Sequence, residues 1–181
     1  MKNYITVIGG GLAGCEAAYQ IAKRGIKVKL YEMKPSKFSP AHSNCNLAEI
    51  VCSNSFKSNL ITNASGLLKE ELRQLDSLLI KIADEVQVPA GQALAVDREK
   101  FAEEVTKRLE QFANIEVIRQ EVGKEISVKQ LAENGIVIIA TGPLTSESLS
   151  KEIQELTGED KLYFYDAAAP IVEKISINMN I

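Results

Sequence analysis

Short apolar runs rich in β-branched residues alternate along this 181-residue chain with longer stretches of helical periodicity. Their length and composition are typical of buried strands, and they lie at residues 5–8, 26–31, 93–96, 115–119, 136–140 and 162–165. Helical periodicity is found at residues 13–24, 66–83, 98–113 and 146–156. Because strands alternate with helices, the pattern predicts an α/β fold with a doubly wound, mostly parallel sheet and right-handed crossovers.

Three details of the pattern predict how the elements are arranged. The run at 136–140 is the most apolar of the chain, so we expect it to be a central strand. The strands at 93–96 and 115–119 are joined by a helix, and we expect both to belong to the parallel sheet. Apolar residues at spacings of four and three predict one continuous helix over residues 66–83, with its stripe at Leu68, Leu72, Leu75, Leu79 and Ile82.

Two helix ends carry residues that favour caps. Asp97 precedes the third predicted helix and is placed to accept from its first N–H groups. The buried face of that helix is predicted as Phe101, Val105, Leu109 and Phe112. Gly158 follows the last helix at the position where a left-handed glycine closes many helices.

Residues 33–63 carry little periodicity and are rich in serine and asparagine. A loop of this length inside a compact domain is usually functional or disordered. An apolar island at residues 47–52 indicates that part of the segment is packed. We therefore expect this segment to contribute to function.

The first strand runs directly into the glycine pattern G-x-G-x-x-G, at Gly9, Gly11 and Gly14. In this pattern Gly9 permits the tight turn, Gly11 lets the backbone approach a pyrophosphate, and Gly14 allows close packing of helix on strand. The helix N-terminus then presents unpaired N–H groups and a positive dipole end to the phosphates. Candidate cofactor contacts at this turn are Ile8, Gly9, Gly11, Leu12, Ala13 and Gly14.

An acidic residue ends the second predicted strand. Glu32 follows Gly14 by eighteen residues, a position from which a carboxylate accepts hydrogen bonds from ribose hydroxyls. Its charge would repel a 2′-phosphate, so an adenosine ribose without that group fits better. Strand, glycine turn, helix, second strand and acid follow in the expected order, and together they predict dinucleotide binding.

Composition excludes several function classes. Apolar residues make up 45% and charged residues 25%, as in ordinary soluble globular proteins. The net charge of −3 argues against a basic nucleic-acid surface over the whole chain, although it permits a local basic patch. No apolar run has the length of a membrane span, and no signal peptide precedes the first strand. We expect a cytoplasmic protein with no membrane partner.

The cysteines and the single histidine give little sign of metal or disulfide chemistry. Cys15, Cys45 and Cys52 are odd in number and lack a paired framework, which fits a reducing cytosol. Cys15 is expected to be a small buried hydrophobe on the first helix. His42 is expected to be structural or solvent-facing, and no metal-ligand spacing is present, so we predict no metal site.

Blocks along nearly the whole chain match the pattern of one family. The glycine fingerprint extends through Gly-Cys-Glu-Ala-Ala at residues 14–18, and Tyr-Glu-Met-Lys-Pro follows at 31–35. Matching blocks recur at residues 48–55, 88–91, 93–98, 140–146, 156–158 and 164–167. The chain thereby resembles the N-terminal part of the folate- and FAD-dependent tRNA uracil-C5 methyltransferases. Gln92 departs from the pattern, since a second glycine is expected there.

This resemblance implies a fold, a cofactor and a reaction. The fold is a Rossmann-like FAD-binding domain of the glutathione-reductase type. In the reaction, methylenetetrahydrofolate supplies the carbon, reduced FAD carries and reduces it, and NAD(P)H provides the electrons. The acceptor is C5 of the T-loop uridine of tRNA. The resemblance also adds Thr141 and Gly142, in the second turn that borders FAD, and Arg98 to the candidate cofactor contacts.

The resemblance further points to a cysteine. Uracil C5 is a poor nucleophile until a group adds at C6, and a thiolate can perform that addition. Cys52 lies in the matching Cys-Ser-Asn-Ser motif and is the candidate catalytic residue. The family also uses a cysteine in its later half, so the cysteine that activates the base stays open.

Family members are more than twice as long as this chain. We therefore expect residues 1–181 to form the N-terminal portion of the FAD-binding domain, without the family's insertion domain and C-terminal part. We expect this portion to be inactive alone. Alternative functions are an FAD-binding component of tRNA wobble-uridine modification, an rRNA uracil methyltransferase, a small-molecule FAD oxidoreductase and a non-catalytic FAD-binding remnant. No sequence feature indicates an oligomeric state.

Overall fold

The computed structural model describes residues 4–159, so the predicted strand at 162–165 and the matching block at 164–167 lie outside them. The strands are β1 (Tyr4–Ile8), β2 (Lys27–Glu32), β3 (Ser55–Ser58), β4 (Gln87–Val88), β5 (Ala93–Val96), β6 (Ile115–Arg119) and β7 (Val137–Ile139). The helices are α1 (Leu12–Lys23), α2 (Ala64–Gln74), α3 (Leu78–Glu85), α4 (Arg98–Glu110), α5 (Val128–Ala132) and α6 (Glu147–Thr157), with a 3₁₀ turn at Gly142–Leu144.

The main sheet is parallel and has helices on both faces, as predicted. Its strand order is β6–β2–β1–β7, and every pair of neighbours runs parallel. Successive residues of β1 and β2 point to opposite faces, because side chains alternate along a strand. Val7 and Leu30 pack with α1, α3 and α4, whereas Ile8 and Tyr31 pack in a second cluster with α5 and α6. The fold is therefore a doubly wound α/β sheet.

The expectation that strand 93–96 belongs to the parallel sheet is wrong. This strand, β5, lies between β3 and β4 in a separate sheet of three strands, and both of its pairings are antiparallel. The helix between β5 and β6 therefore connects two sheets rather than two strands of one sheet. A strand–helix–strand order suggests a parallel crossover, but it does not identify the sheet in which each strand finds its partner.

Among the described residues, the predicted central strand at 136–140 has a neighbour on one side only. β7 pairs with β1 and lies at the end of the four-stranded order. Ile136 is 64% exposed and Ile139 is 39% exposed. An apolar run reports how favourable burial would be, but its position in the sheet depends on which strand it pairs with.

Residues 66–83 form two helices rather than one. The chain turns between α2 and α3 at Asp76, whose φ of 62° is left-handed, and Ser77 then caps α3 through a hydrogen bond from the Ile80 N–H. Leu68 and Leu75 of the predicted stripe are exposed, while Leu79 and Ile82 are buried in α3. The apolar spacing continues across the break, and for that reason periodicity alone does not reveal it.

Other local predictions are confirmed. The Asp97 carboxylate accepts from the Lys100 N–H. Phe101, Val105 and Leu109 are fully buried, whereas Phe112, the fourth residue of the predicted face, is only partly buried against the core. Gly158 closes α6 with a φ of 72°. Leu47 and Ala48 of the apolar island are also fully buried, so part of the 33–63 segment is packed. None of the helices between residues 4 and 159 is long and apolar enough to cross a membrane.

Candidate functional site

A cleft that is open to solvent lies at the carboxyl ends of the four parallel strands. In open α/β sheets, ligands bind at this edge, where the strand order reverses. Here β1 has β2 on one side and β7 on the other, so the reversal lies beside β1. The segments that line the cleft follow these strands and include residues 8–11, 31–34, 120–122, 141 and 144–146.

The glycine turn forms one wall of this cleft. A Cβ on Gly14 would lie 1.8 Å from the Gly9 carbonyl oxygen, so only glycine permits this approach of α1 to β1. Gly9 itself has a φ of 105°, and a Cβ on it would lie 2.7 Å from the Ala140 carbonyl oxygen. A Cβ on Gly11, by contrast, would meet no atom within 4 Å, and no side chain caps α1 there. The turn is therefore tightly packed at Gly9 and Gly14, whereas the space beside Gly11 is open.

Glu32 holds the glycine turn against the end of β2. Its carboxylate accepts from the Gly10 N–H at 2.8 Å and from the Lys34 N–H at 2.9 Å, one to each oxygen. The residue is 8% exposed and lines the cleft. Because each carboxylate oxygen has two lone pairs, these bonds leave acceptor capacity for a further donor in the cleft.

A second carboxylate, Glu49, folds the 43–46 segment onto the cleft. It accepts from the N–H and hydroxyl of Ser43 at 2.9 and 3.0 Å and from the N–H of Asn44. Its other oxygen lies 3.1 Å from the Lys34 ammonium, and both side chains are under a tenth exposed. Burial acts to raise the pKa of Glu49, but the hydrogen bonds from Ser43 and Lys34 together outweigh burial and hold this pKa below its usual value.

His42 also lines the cleft, which its position in a polar loop does not reveal. Its Nδ1 lies 2.5 Å from the Ser39 hydroxyl oxygen. Burial, together with the nearby Lys34 ammonium, lowers the pKa of His42 below its ordinary value. Sequence periodicity also missed Lys34, Glu49 and residues 120–122, although the carboxyl end of β6 is where an α/β sheet predicts further contacts.

The predicted cofactor contacts divide into two groups. Those that line the cleft are Ile8, Gly9, Gly11, Glu32 and Thr141. Those that do not are Leu12, Ala13, Gly14, Arg98 and Gly142. The Thr141 hydroxyl lies 2.6 Å from that of Thr145, which donates to the Gly142 carbonyl oxygen, so the second turn is held by its own side chains. The roles of all these residues stay predictions.

Cys52 and Arg98 lie away from the cleft lining. Cys52 is exposed, and the neighbouring residues Ser53 and Asn54 line a separate open groove together with Arg98. Asn54 is fixed to β5, since the Val96 N–H donates to its carbonyl oxygen at 2.9 Å. The proposed part of Cys52 in catalysis therefore stays a prediction, carried by its motif.

Cys15 is a buried thiol, as expected. It is fully buried, and its Sγ lies 3.2 Å from the Gly10 carbonyl oxygen. Burial, and next the Glu32 charge, raise the pKa of Cys15 far above its usual value, which makes the thiol inert. Between residues 4 and 159, no three His, Cys, Asp or Glu side chains are grouped so as to hold a metal ion.

The sequence matches the model of a known protein family. The family model described as "Glucose inhibited division protein A" matches residues 4–181. The chain belongs to this family. The structure of Aquifex aeolicus GidA in its form II crystal has the same fold, with a TM-score of 0.51 and 19% identity, over 65% of this chain and 19% of that chain.

Higher identity is found among curated relatives with one name. Methylenetetrahydrofolate--tRNA-(uracil-5-)-methyltransferase TrmFO of Acetivibrio thermocellus is 61% identical over 99% of this chain and 40% of its own length. The protein of the same name from Bacillus subtilis is 60% identical, with the same coverage of both chains. The chain therefore spans about two-fifths of the length of the curated relatives it matches.

Proposed function

We propose that residues 1–181 form the N-terminal portion of the FAD-binding domain of a methylenetetrahydrofolate-dependent tRNA (uracil-C5) methyltransferase. The observation that carries the proposal is the identity of 56–61% to proteins of that name along nearly the whole chain. The cleft at the glycine turn supports it independently, because it has the form that a dinucleotide requires. The acceptor in this proposal is the T-loop uridine of tRNA, and the reaction takes place in the cytoplasm.

The residues of the cleft fit the adenosine diphosphate half of FAD. Gly11 is open in front, so a pyrophosphate can approach the backbone and the N-terminus of α1 without a side chain between them. Glu32 retains lone pairs for ribose hydroxyls. Ile8 and Thr141 complete the walls on either side of the turn. When bound, FAD would supply the electron transfer that turns the folate-derived carbon into a methyl group.

Cys52 is the proposed nucleophile toward the uracil ring. Its thiolate would add to C6, forming an S–C6 bond while the electron pair of the C5–C6 double bond moves toward C5 and O4. After C5 has gained the new carbon, loss of the C5 proton restores the double bond and expels the thiolate. The exposed position of Cys52 is compatible with access by a macromolecular substrate.

The FAD-binding component of tRNA wobble-uridine modification is the second candidate, since it shares the glycine fingerprint through Gly-Cys-Glu-Ala-Ala at residues 14–18. Two arguments favour the methyltransferase. The blocks at residues 31–35 and 52–55 match the methyltransferase pattern. The relatives of 56–61% identity carry the methyltransferase name.

The proposal is tested first by FAD binding to the purified 181-residue chain, followed by the shift of the flavin absorption spectrum on titration. We expect saturable binding that ADP competes for, because the contacts at the glycine turn are made with the adenosine diphosphate half. A folded chain that does not bind FAD would contradict the proposed site.

Two glycine variants separate binding from folding. Gly11→Ala should melt close to the parent, because the added methyl meets no atom and the φ of −75° suits alanine, yet it should weaken FAD binding at least about tenfold by obstructing the pyrophosphate. Gly14→Ala should lose thermal stability as well, because its methyl would overlap the Gly9 carbonyl oxygen. Unchanged FAD affinity in Gly11→Ala would mean that the pyrophosphate does not approach the glycine turn, which would contradict the proposed site.

The methylation is tested with T-loop RNA, methylenetetrahydrofolate and NAD(P)H. Incorporation of the folate carbon at C5, abolished by Cys52→Ala, is the result that the proposal predicts for a catalytically complete enzyme. An FAD-loaded 181-residue chain that incorporates nothing would confine the proposal for this chain to cofactor binding.

A further inference from the structure

The cleft contains a lysine whose charge is cancelled by a neighbouring acid. Lys34 follows the end of β2 and is 3% exposed, although a lysine in a polar loop would ordinarily be solvated. Its ammonium donates to the Asn46 carbonyl oxygen at 2.7 Å and to Glu49 at 3.1 Å. Both Lys34 and Glu49 line the cleft beside Glu32.

The side chains that line this end of the cleft carry a net negative charge. The nearby Arg119 guanidinium is not part of the lining and is paired with Glu110 at 4.0 Å. Glu32 and Glu49 contribute two negative charges and Lys34 one positive charge. Glu121 also lines the cleft, but it forms an ion pair with Lys37 at 2.7 Å. His42 is held toward its neutral form by burial and by the Lys34 charge. Without Glu49, the carboxylate of Glu32 and the ammonium of Lys34 would balance each other.

We propose that Glu49 is a specificity-determining residue, which neutralises Lys34 and thereby keeps the ribose end of the cleft selective for adenosine that lacks a 2′-phosphate. A cation near the ribose is the feature that accommodates a 2′-phosphate in dinucleotide sites of this fold. Here the cation is Lys34, but its ammonium is already bonded to the Glu49 carboxylate and to the Asn46 carbonyl oxygen. The inference rests on the proposed dinucleotide site and deepens it.

Hydrogen bonds from neighbouring residues hold the Glu49 carboxylate in place. Three donors from Ser43 and Asn44 bind its oxygens, so the carboxylate is oriented before any ligand arrives. Arg119 adds a further tie, since its guanidinium donates to the Cys45 carbonyl oxygen at 2.9 Å. Glu49 therefore acts through Lys34 as a fixed counter-charge.

The test compares two ligands that differ only in the 2′-phosphate, ADP-ribose and 2′-phospho-ADP-ribose, as competitors of FAD. The parent should prefer ADP-ribose. Glu49→Gln keeps the shape of the side chain and removes its charge, so the affinity ratio should shift toward the phosphorylated ligand by about tenfold. Lys34→Gln makes the cleft more negative and should shift the ratio in the opposite direction.

The double variant, Lys34→Gln with Glu49→Gln, is the matched control. It restores the net charge of the parent, so its ratio should return to within about threefold of the parent value. A merely structural role of Glu49 would weaken both ligands together: the ratio of Glu49→Gln would equal that of the parent, and the ratio of the double variant would equal that of Lys34→Gln. Either result would overturn the inference.

The outcomes distinguish this inference from the proposed function. If the parent binds FAD and ADP-ribose but the ratio is constant in both single variants, only the inference fails. If the folded parent binds neither FAD nor ADP-ribose, the proposed site fails and the inference falls with it. Should Glu49→Gln not fold, the comparison of the double variant with Lys34→Gln still isolates the charge of Glu49, and an equal affinity ratio in these two would overturn the inference.

Discussion

At the scale of single residues, three cysteines of one chain have different environments. Cys15 is fully buried beside the glycine turn, and burial raises its pKa. Cys45 and Cys52 are exposed in the segment between β2 and β3. Only a thiol that reaches solvent and ionises can act as a nucleophile. The structure thus separates a packing cysteine from two accessible ones.

This difference predicts a two-step thiol titration. In the native chain, a chromogenic disulfide reagent should react rapidly with Cys45 and Cys52, while Cys15 should react only when denaturant unfolds the protein. Cys52→Ser should leave one rapid thiol and one protected thiol. Three rapid thiols in a folded protein would contradict the burial of Cys15.

At the scale of elements, the break between α2 and α3 joins three helices. The Ser77 hydroxyl accepts from the Ile80 N–H and donates to the Glu16 carboxylate of α1 at 2.8 Å. Glu16 in turn accepts from the N–H groups of Leu78 and Leu79. Asp76 forms ion pairs with Lys23 of α1 and Lys81 of α3. The boundary between α2 and α3 is therefore also the point where hydrogen bonds and ion pairs hold α1 against α3.

Removing the Ser77 hydroxyl should therefore cost more than removing an ordinary surface hydroxyl. Ser77→Ala is expected to lower the free energy of unfolding by about 1–2 kcal/mol, since it loses both the cap and the bond to Glu16. Ser65→Ala is the matched control: it loses one 3.3 Å bond to the Ser58 carbonyl oxygen and should change stability by less than about 0.5 kcal/mol. Urea denaturation measures both, and equal losses would argue against the cap.

At the scale of the whole molecule, the hydrophobic clusters on the two faces of the parallel sheet flank the cleft at the carboxyl edge of that sheet. The larger cluster packs α1, α3 and α4 on one face, and the smaller cluster packs α5 and α6 on the other. The cleft opens where the strands between them end. Ionisable groups around this edge, His42, Glu49 and Glu121, all have lowered pKa values.

These lowered pKa values predict a loss of stability on acidification. As the pH falls below 6.5, the ordinary value for histidine, the unfolded chain protonates His42 before the folded chain does, so the free energy of unfolding decreases. Below 4.5, the ordinary value for glutamate, Glu49 and Glu121 add a second decrease of the same sign. Denaturant melts as a function of pH measure the profile.

His42→Gln supplies the control for that profile. The variant should lose the first decrease and keep the second, because the two glutamates are untouched. A profile that is flat from neutral pH down to about 5 in the parent would mean that His42 titrates alike in the folded and unfolded chains.

The candidate site could be predicted from sequence only in part. The glycine turn and Glu32 follow from a local motif in which each residue has a backbone or charge requirement. Lys34, His42 and Glu49 could not be found in this way, because they reach the cleft through the irregular path of residues 33–49. Their role depends on which side chains that path brings together, and no periodicity encodes it.

The sequence by itself determined the features that depend on neighbours along the chain: the strand–turn–helix at Gly9–Gly14, the cap at Asp97, the closing glycine at 158 and the α/β class. Only the tertiary structure decided that β5 leaves the parallel sheet, that β7 pairs with β1 at the end of the described order, and that Glu49 neutralises Lys34. The physical reason is range. Backbone conformation and capping are fixed within a few residues, whereas strand partners and charge pairs are chosen between segments far apart in the chain.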